Sequence, residues 1–424
     1  VLLILSMQFS FGGYSAEPVK IIYDTDWGPD IDDVAALAIL HALTDLGEVE
    51  LLAAAISRGG VSKPWTAPSL DAVNTYYGRP DIPIGVSKTN DSPLPDSYTR
   101  PLAEDFPNDF GDGGQAPDAV TVYRNALNSQ PDNSVVVVTV GYLTNLKDLL
   151  LSEADEWSDL SGRELIEQKV SHLVVMGGKF PEGRPEWNLS QDHEAARSVF
   201  AEWRRPIVFS GFEIGEKVST GARLQSESPE ASPVRTAYLL ASDHTDQSGN
   251  RSSWDQTAVL FAARGAHAYW SLSEPGSIVY FESGQGNDFE FDQTGSHRFL
   301  IERMPPEELA QTIEDLMVRT PQQGARTIWD EKRLDGDGIW MRDWMGWVYL
   351  DRSFLPWIVQ NQLGFLYGFG HAYSKVWLFS EVDELAFLYT GSSLYPYIYS
   401  SAQESWLYHW PGTSTLMNLK TGQP

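Results

Sequence analysis

The stretch Asp24-Thr25-Asp26-Trp27-Gly28-Pro29-Asp30-Ile31-Asp32-Asp33 packs five aspartates into ten residues. It follows an apolar run, Val19-Lys-Ile-Ile-Tyr23, and precedes a helical apolar pattern, Val34-Ala-Ala-Leu-Ala-Ile-Leu40. The reading is a buried strand that ends, a Gly-Pro turn, and a helix that begins, with carboxylates crowded into the join. Like charges at this density repel and raise one another's pKa unless a cation stands among them. A hard divalent cation with all-oxygen ligands resolves the repulsion, and calcium takes about six to eight such ligands. One or two of the acids suffice to favour the first turn of a helix; five exceed that need.

Outward from this join, short apolar runs alternate with helical patterns from residue 19 to about residue 320. Strands are expected at Val19–Asp24, Val49–Ile56, Ile82–Val86, Ser134–Val140, His172–Met176, Ile207–Ser210 and Ser277–Phe281. Helices are expected at Asp33–Leu46, Pro68–Tyr77, Asp118–Ser129, Asn145–Ser152, Glu194–Trp203, Asp255–Ala263 and Pro306–Val318. Near-continuous apolar runs such as Val135-Val-Val-Val-Thr-Val140 fit strands covered on both faces. The alternation implies an α/β fold with a mostly parallel open sheet flanked by helices. Ligands in such sheets sit beyond the carboxyl ends of the strands, where the aspartates fall. The polar, Asp- and Pro-rich segment Ser87–Pro117 reads as a long loop or lid. Ser226–Arg251 is also largely polar, with one short apolar interruption.

Bulk properties narrow the function. The chain has 424 residues, with 30 basic against 58 acidic side chains and a formal charge of −28. That balance argues against recognition of nucleic acid through its phosphates and against an anionic membrane surface. There are no cysteines, which excludes disulfides, thiolate metal sites and cysteine nucleophiles. Residues 1–16 are apolar and end in small residues, as the core of a signal peptide does. The expectation is an exported bacterial protein, periplasmic or extracellular. No other run reaches the ~18 apolar residues of a membrane span.

Composition shifts near residue 325. Eight of the fifteen tryptophans lie between Trp329 and Trp410. A short unit recurs: Gly346-Trp-Val-Tyr349, Gly364-Phe-Leu-Tyr367, Val376-Trp-Leu-Phe379, Ala386-Phe-Leu-Tyr389, Pro396-Tyr-Ile-Tyr399, Ser405-Trp-Leu-Tyr408. The period of two and the polar or glycine turns between units indicate a β-meander. The expected division is therefore an α/β domain over residues 17–322 and a small all-β module over residues 323–424. Two readings of the module stay open. Its paired aromatics bury against neighbouring strands as a core, or they form an exposed platform for a glycan or cell-wall polymer.

Two further elements accompany the aspartate stretch. Leu173-Val-Val-Met-Gly-Gly178 runs a strand into a glycine pair, followed by Pro185-Glu-Trp-Asn188. Glu186 and Asn188 alternate around Trp187, and an acceptor with an amide on one face suits polyol hydroxyls. Ser253-Trp-Asp255 opens an apolar helical stretch, where Asp255 alone would be an N-cap.

Together these blocks, with Gly141-Tyr-Leu-Thr-Asn145 between them, resemble the calcium-dependent nucleoside hydrolases of the inosine–uridine type, in that family's order. The resemblance covers roughly residues 19–320. It implies Ca2+ held by Asp26, Asp33, Asp255 and a backbone carbonyl near Val140. It also implies Asp26 as general base, Asp32 on the ribose 2′ and 3′ hydroxyls, Asp24 in support, and Glu186 and Asn188 on the 5′ and 3′ side. The implied activity is hydrolysis of an N-glycosidic bond in nucleoside salvage. The implied partner is a nucleoside or related N-riboside, with self-association as a further expectation. The chain departs from the family pattern on the leaving-group side. Trp254 stands where a histidine is common, and it is expected as a stacking surface or pocket wall. The loop Ser57-Arg-Gly-Gly-Val-Ser62 and the segment Lys179–Pro185 lack usual asparagines. These departures motivate an alternative of the same fold, a sugar- or nucleoside-binding protein with little hydrolysis.

Overall fold

The computed structural model describes residues 17–59, 63–91, 97–111, 113–282, 284 and 286–321. Beyond these it describes 339–343, 346–350, 357–360, 364–372, 375–380, 387–390, 397–409 and 415–423. The apolar opening stretch, residues 1–16, lies outside them. The chain forms two compact units, one running to Arg319 and one starting at Thr320, with Gly78–Pro80 grouped with the second. Among the described residues no helix is long and apolar enough to cross a membrane.

The first unit contains β1 (Val19–Thr25), β2 (Val49–Ile56), β3 (Ile84–Val86), β4 (Val135–Thr139), β5 (Val170–Met176) and β6 (Ile207–Ser210). After them come β7 (Ser219–Thr220), β8 (Arg251–Ser252), β9 (Trp270–Leu272), β10 (Gly276–Tyr280), β11 (Asn287–Phe291) and β12 (His297–Glu302). The main sheet runs β11-β10-β12-β6-β5-β4-β1-β2-β3, with β9 beside β12, while β7 and β8 pair apart. From β3 to β12 every pairing is parallel. Beyond β12 the sheet turns antiparallel. The expected mostly parallel open sheet is the fold observed.

Its strands are buried on both faces, which is why they read as continuous apolar runs. Ile21, Tyr23, Val136, Val138 and Val174 pack into one layer with the helices Asp32–Asp45, Trp254–Arg264 and Pro306–Met317. Ile22, Val137, Leu173, Val175 and Phe209 pack into the other with Ala119–Asn128, Thr144–Leu151 and His193–Glu202. Each fully buried aliphatic contributes roughly 1.5–3 kcal/mol.

Some elements differ from expectation. The segment read as one long loop, Ser87–Pro117, carries the helix Thr99–Asp105. Buried Tyr98 and Leu102 anchor that helix, so tertiary packing rather than local propensity decides it. The helix placed at Pro68–Tyr77 begins earlier, at Lys63, with Pro68 inside it.

Among the described residues the second unit is a nine-stranded antiparallel meander in chain order. Its strands are β13 (Ile339–Asp343), β14 (Gly346–Leu350), β15 (Trp357–Gln360), β16 (Gly364–Ala372), β17 (Lys375–Ser380), β18 (Phe387–Thr390), β19 (Tyr397–Ser400), β20 (Ser405–His409) and β21 (Leu416–Asn418). Each of the six repeated triplets lies on a strand. Where side chains are described, their burial speaks against the first of the two open readings, a core of paired aromatics. The central aliphatics Leu366, Leu388, Ile398 and Leu407 are buried, whereas Tyr397 and Trp406 are 48% and 39% exposed. Strand alternation puts branched aliphatics on the packed face and rings on the other.

Candidate active site

The strand order reverses around β1 and β4, and α/β sheets open a ligand crevice at such a switch point. The loops after these two strands meet there. Gly141, just past β4, makes the meeting sterically feasible. A Cβ on it would lie 2.3 Å from the Asp26 amide nitrogen and 2.7 Å from the Thr25 carbonyl carbon. The loop after β1 turns through two residues of positive φ, Trp27 at +28° and Gly28 at +131°. Trp27 holds this strained conformation because its ring is wholly buried. Its Nε1 donates to Ser69 Oγ at 2.8 Å, and its ring meets Tyr98 edge-on.

The turn delivers the carboxylates inward. Asp32, Asp33 and Asp255 are buried, and one carboxylate oxygen from each lies within 4.8 Å of the others. They stand where the N-termini of the helices Asp32–Asp45 and Trp254–Arg264 converge. Neither helix has a side-chain cap on its own N-cap residue. Instead Asp32 Oδ2 accepts from the Asp255 amide at 3.2 Å, so the start of the second helix leans on the first. Asp33 Oδ1 accepts from the Trp27 amide at 3.3 Å and from the Thr25 hydroxyl. Two helix dipoles favour negative charge here, but they fall short of three carboxylates. Burial first, then the neighbouring aspartates, pushes all three carboxyls well above their usual range.

Asp26 faces the same cavity. Burial pushes its carboxyl up to about 6, against the pull of the Arg58 guanidinium. Asp24 lies behind, raised by burial to about 7 although Tyr123 Oη and Asn145 Nδ2 donate to it at 2.8 and 3.0 Å. The set expected to bind a metal is therefore gathered with one change of emphasis. Asp33 and Asp255 share the tightest cluster with Asp32 rather than with Asp26. Val140 lines the same cavity, and its carbonyl accepts from Asn188 Nδ2 at 2.8 Å. A donor set of buried oxygens, with too little positive charge around it, fits a hard divalent cation.

Glu186 and Asn188 reach the cavity from the loop after β5. Glu186 also caps the short helix Trp187–Gln191, accepting from the amides of Asn188, Leu189 and Gly178. Burial still raises its carboxyl to about 7. The cavity is about 320 Å³. Its opposite wall was only partly foreseen. Trp254 is there, but its ring is engaged: Phe212 stacks on it at 5.2 Å, and the Arg251 guanidinium lies 4.8 Å from its centroid. Its Nε1 donates to the Phe212 carbonyl at 3.0 Å. Trp254 is a fixed pocket wall. Asp30, which had no assigned part, takes Arg251 through Nε at 3.0 Å and through Nη2, and its Oδ1 lies 3.6 Å from His244 Nδ1. Burial pushes the Asp30 carboxyl up, but His244 and Arg251 pull it below the usual range. In return Asp30 raises the His244 imidazole. Sequence reading missed His244, Arg251 and Phe212, which no local pattern connects with the aspartate stretch.

The family model of the inosine-uridine preferring nucleoside hydrolases matches residues 21–314, well over half of the chain. The chain belongs to this family. Solved structures agree in fold. An inosine-uridine preferring nucleoside hydrolase from Bacillus anthracis superposes with a TM-score of 0.52 at 15% identity, over 72% of this chain and 99% of that one. A purine-preferring ribonucleoside hydrolase from Gardnerella vaginalis gives 0.51 at 15% identity, over 70% and 98%. A plant nucleoside hydrolase gives 0.50 at 17%, over 71% and 99%. No curated protein sequence matches the chain. Asp26, Asp32, Asp33 and Asp255 line one wall of the cavity, and Phe212, Trp254, Arg251 and His244 line the other.

Proposed function

We propose that the chain hydrolyses the N-glycosidic bond of a ribonucleoside or related N-riboside to free base and ribose. The observation that carries this reading is the convergence of Asp26, Asp32, Asp33 and Asp255 with Glu186 and Asn188 around one buried cavity. Ca2+ is the proposed cofactor. Asp26, Asp33, Asp255 and the Val140 carbonyl would hold it, with Asp32 in the same oxygen cluster. When bound, it supplies the positive charge that compensates these carboxylates, orients ribose hydroxyls and acidifies water.

The remaining chemistry belongs to the chain's own residues. Asp32 accepts from the ribose 2′ and 3′ hydroxyls, and Glu186 and Asn188 hold the 5′ and 3′ side. Asp26, with a carboxyl near 6, is ionised at neutral pH and takes the proton of the attacking water. As the bond from C1′ to the base nitrogen breaks, its electron pair leaves with the base. Positive charge then develops on the sugar, facing carboxylates that stabilise it. On the far wall His244, whose imidazole Asp30 raises, lines the cavity as the proposed proton donor to the departing base. Export of the chain belongs to the same proposal; its support is the apolar stretch at residues 1–16, and fractionation of a producing bacterium checks it.

The test is a panel of nucleosides, nucleotides and other N-ribosides, assayed with calcium for released base and reducing sugar. Release of both from at least one riboside is expected. Tight calorimetric binding of ribose or inosine without base release would replace the hydrolase with a binding protein.

A further inference from the structure

We infer that the aromatic face of the C-terminal sheet binds a neutral polysaccharide, with Tyr397, Tyr399, Trp406 and Tyr408 as its described end. The inference is independent of the riboside site. It starts from the reversed burial of β19 and β20, where Ile398 and Leu407 face inward while Tyr397 and Trp406 stand exposed. Cross-strand pairing sets these rings in order: Tyr397 opposite Tyr408 with centroids 5.4 Å apart, and Tyr399 opposite Trp406 at 5.6 Å, both edge-on. Tyr397, Tyr399 and Trp406 line a groove of about 620 Å³ together with Glu404, Ser405 and Lys420.

The register shows that this end is not an isolated patch. One row of aromatic positions runs Trp406, Tyr399, Tyr389, Trp377, Phe369, one residue per strand from β20 to β16. A second runs Phe387, Phe379, Tyr367, Trp357 from β18 to β15. Strands repeat every ~4.8 Å, so these positions repeat along the sheet. Aromatic positions repeated strand by strand suit a repeating ligand better than a single small molecule.

Chemistry selects the polymer. Aromatic rows also bind single-stranded nucleic acid, but only within a basic groove. Here Glu404 and Lys420 cancel, and the chain carries −28 overall, which repels polyanions and anionic lipid surfaces. What remains is an uncharged polymer with flat C–H faces to lie on the rings and hydroxyl edges to meet Glu404 and Lys420. A polysaccharide meets each requirement.

The experiment sediments the full chain with insoluble uncharged polysaccharides: cellulose, chitin, mannan and a β-1,3-glucan. Retention on at least one is expected, with a loss of about tenfold or more in apparent affinity for Tyr397→Ala/Trp406→Ala and intact riboside turnover. Should that variant misfold by circular dichroism, Tyr399→Ser and competition of the unaltered chain by a soluble oligosaccharide read the same site. Three results overturn the inference. The first is no retention on any of the four polymers. The second is retention that neither variant nor competitor reduces. The third is a face occupied otherwise, seen as dimerisation in light scattering, or as binding to zwitterionic vesicles, that the ring substitutions abolish.

Discussion

The two units break the usual order of burial in opposite directions. The α/β unit buries Asp24, Asp26, Asp32, Asp33 and Asp255, charges that a core normally excludes. The β-sheet unit turns Tyr397 and Trp406, rings that a core normally takes, toward water. Local rules are broken in a folded protein chiefly where function demands it. The comparison therefore sets the two proposed surfaces side by side, one built from misplaced charge and one from misplaced aromatic area. Each has a stabilising background that obeys the rules: the two-sided apolar layers around β1 and β4, and the row Leu366, Leu388, Ile398, Leu407.

The largest expected effect comes from the charge. Asp26→Asn keeps size and hydrogen bonding but removes the base, so turnover falls roughly 10²–10⁴-fold or further while the melting temperature holds or rises. Kinetics beside thermal melting check this. Activity retained in Asp26→Asn would remove Asp26 from its part and leave the buried charge without a chemical purpose.

Removing the proposed cation comes next. With EGTA, activity is expected to vanish and the melting temperature to drop, because a ligand bound only by the folded state stabilises it by about 4 kcal/mol at a thousandfold excess over its Kd. Scanning calorimetry before and after chelation reads it. Unchanged melting after complete metal removal would mean that the two helix N-termini alone tolerate the carboxylates.

A third, smaller effect is on pH. Asp24 and Glu186 are raised to about 7 and Asp26 to about 6. In the unfolded chain these groups titrate near 4. Between pH ~4 and ~7 the folded, metal-free state therefore holds more protons than the unfolded one, and stability falls as pH rises. Chelated protein should melt higher at pH 5 than at pH 8, and calcium should reverse that order. Denaturant titrations at the two pH values decide. A metal-free protein equally stable at both would show that the carboxylates are better solvated than their burial implies.

The sequence carried one half of each contrast. The aspartate stretch, the apolar runs of β1, β2, β4 and β6 and the triplets of the second unit are local patterns, so the strands and the acidic wall were readable. The other cavity wall was not. Arg251 meets Asp30 across 221 residues, and no periodicity reports so distant a pairing. Some local signals were passed over. Ser161 and Glu164 form a capping box for the helix Gly162–Lys169, and Ser232-Pro233 opens Pro233–Leu240. The strand β12 was missed because His297-Arg-Phe-Leu-Ile-Glu302 has polar ends and sits where the sheet turns antiparallel. For the triplets, a period of two gave strands but could not say which of its two faces was inside, since rings and branched aliphatics are both good strand residues.

That last ambiguity yields the smallest effect and the cleanest reading of the second unit. Leu407 and Trp406 are neighbours on β20, one buried and one 39% exposed. By size alone tryptophan should matter more, since Phe or Trp truncation in a core costs about 3–5 kcal/mol. If burial decides, Leu407→Ala costs about 2–5 kcal/mol, while Trp406→Ala stays within about 1 kcal/mol, as surface changes do. Chemical denaturation of the full chain, followed through the transition of the second unit, measures both. The order Leu407 above Trp406 fixes the aliphatic row as the core and leaves the rings to a ligand. The reverse order would return the rings to a structural part, and with it the polysaccharide surface would lose its basis.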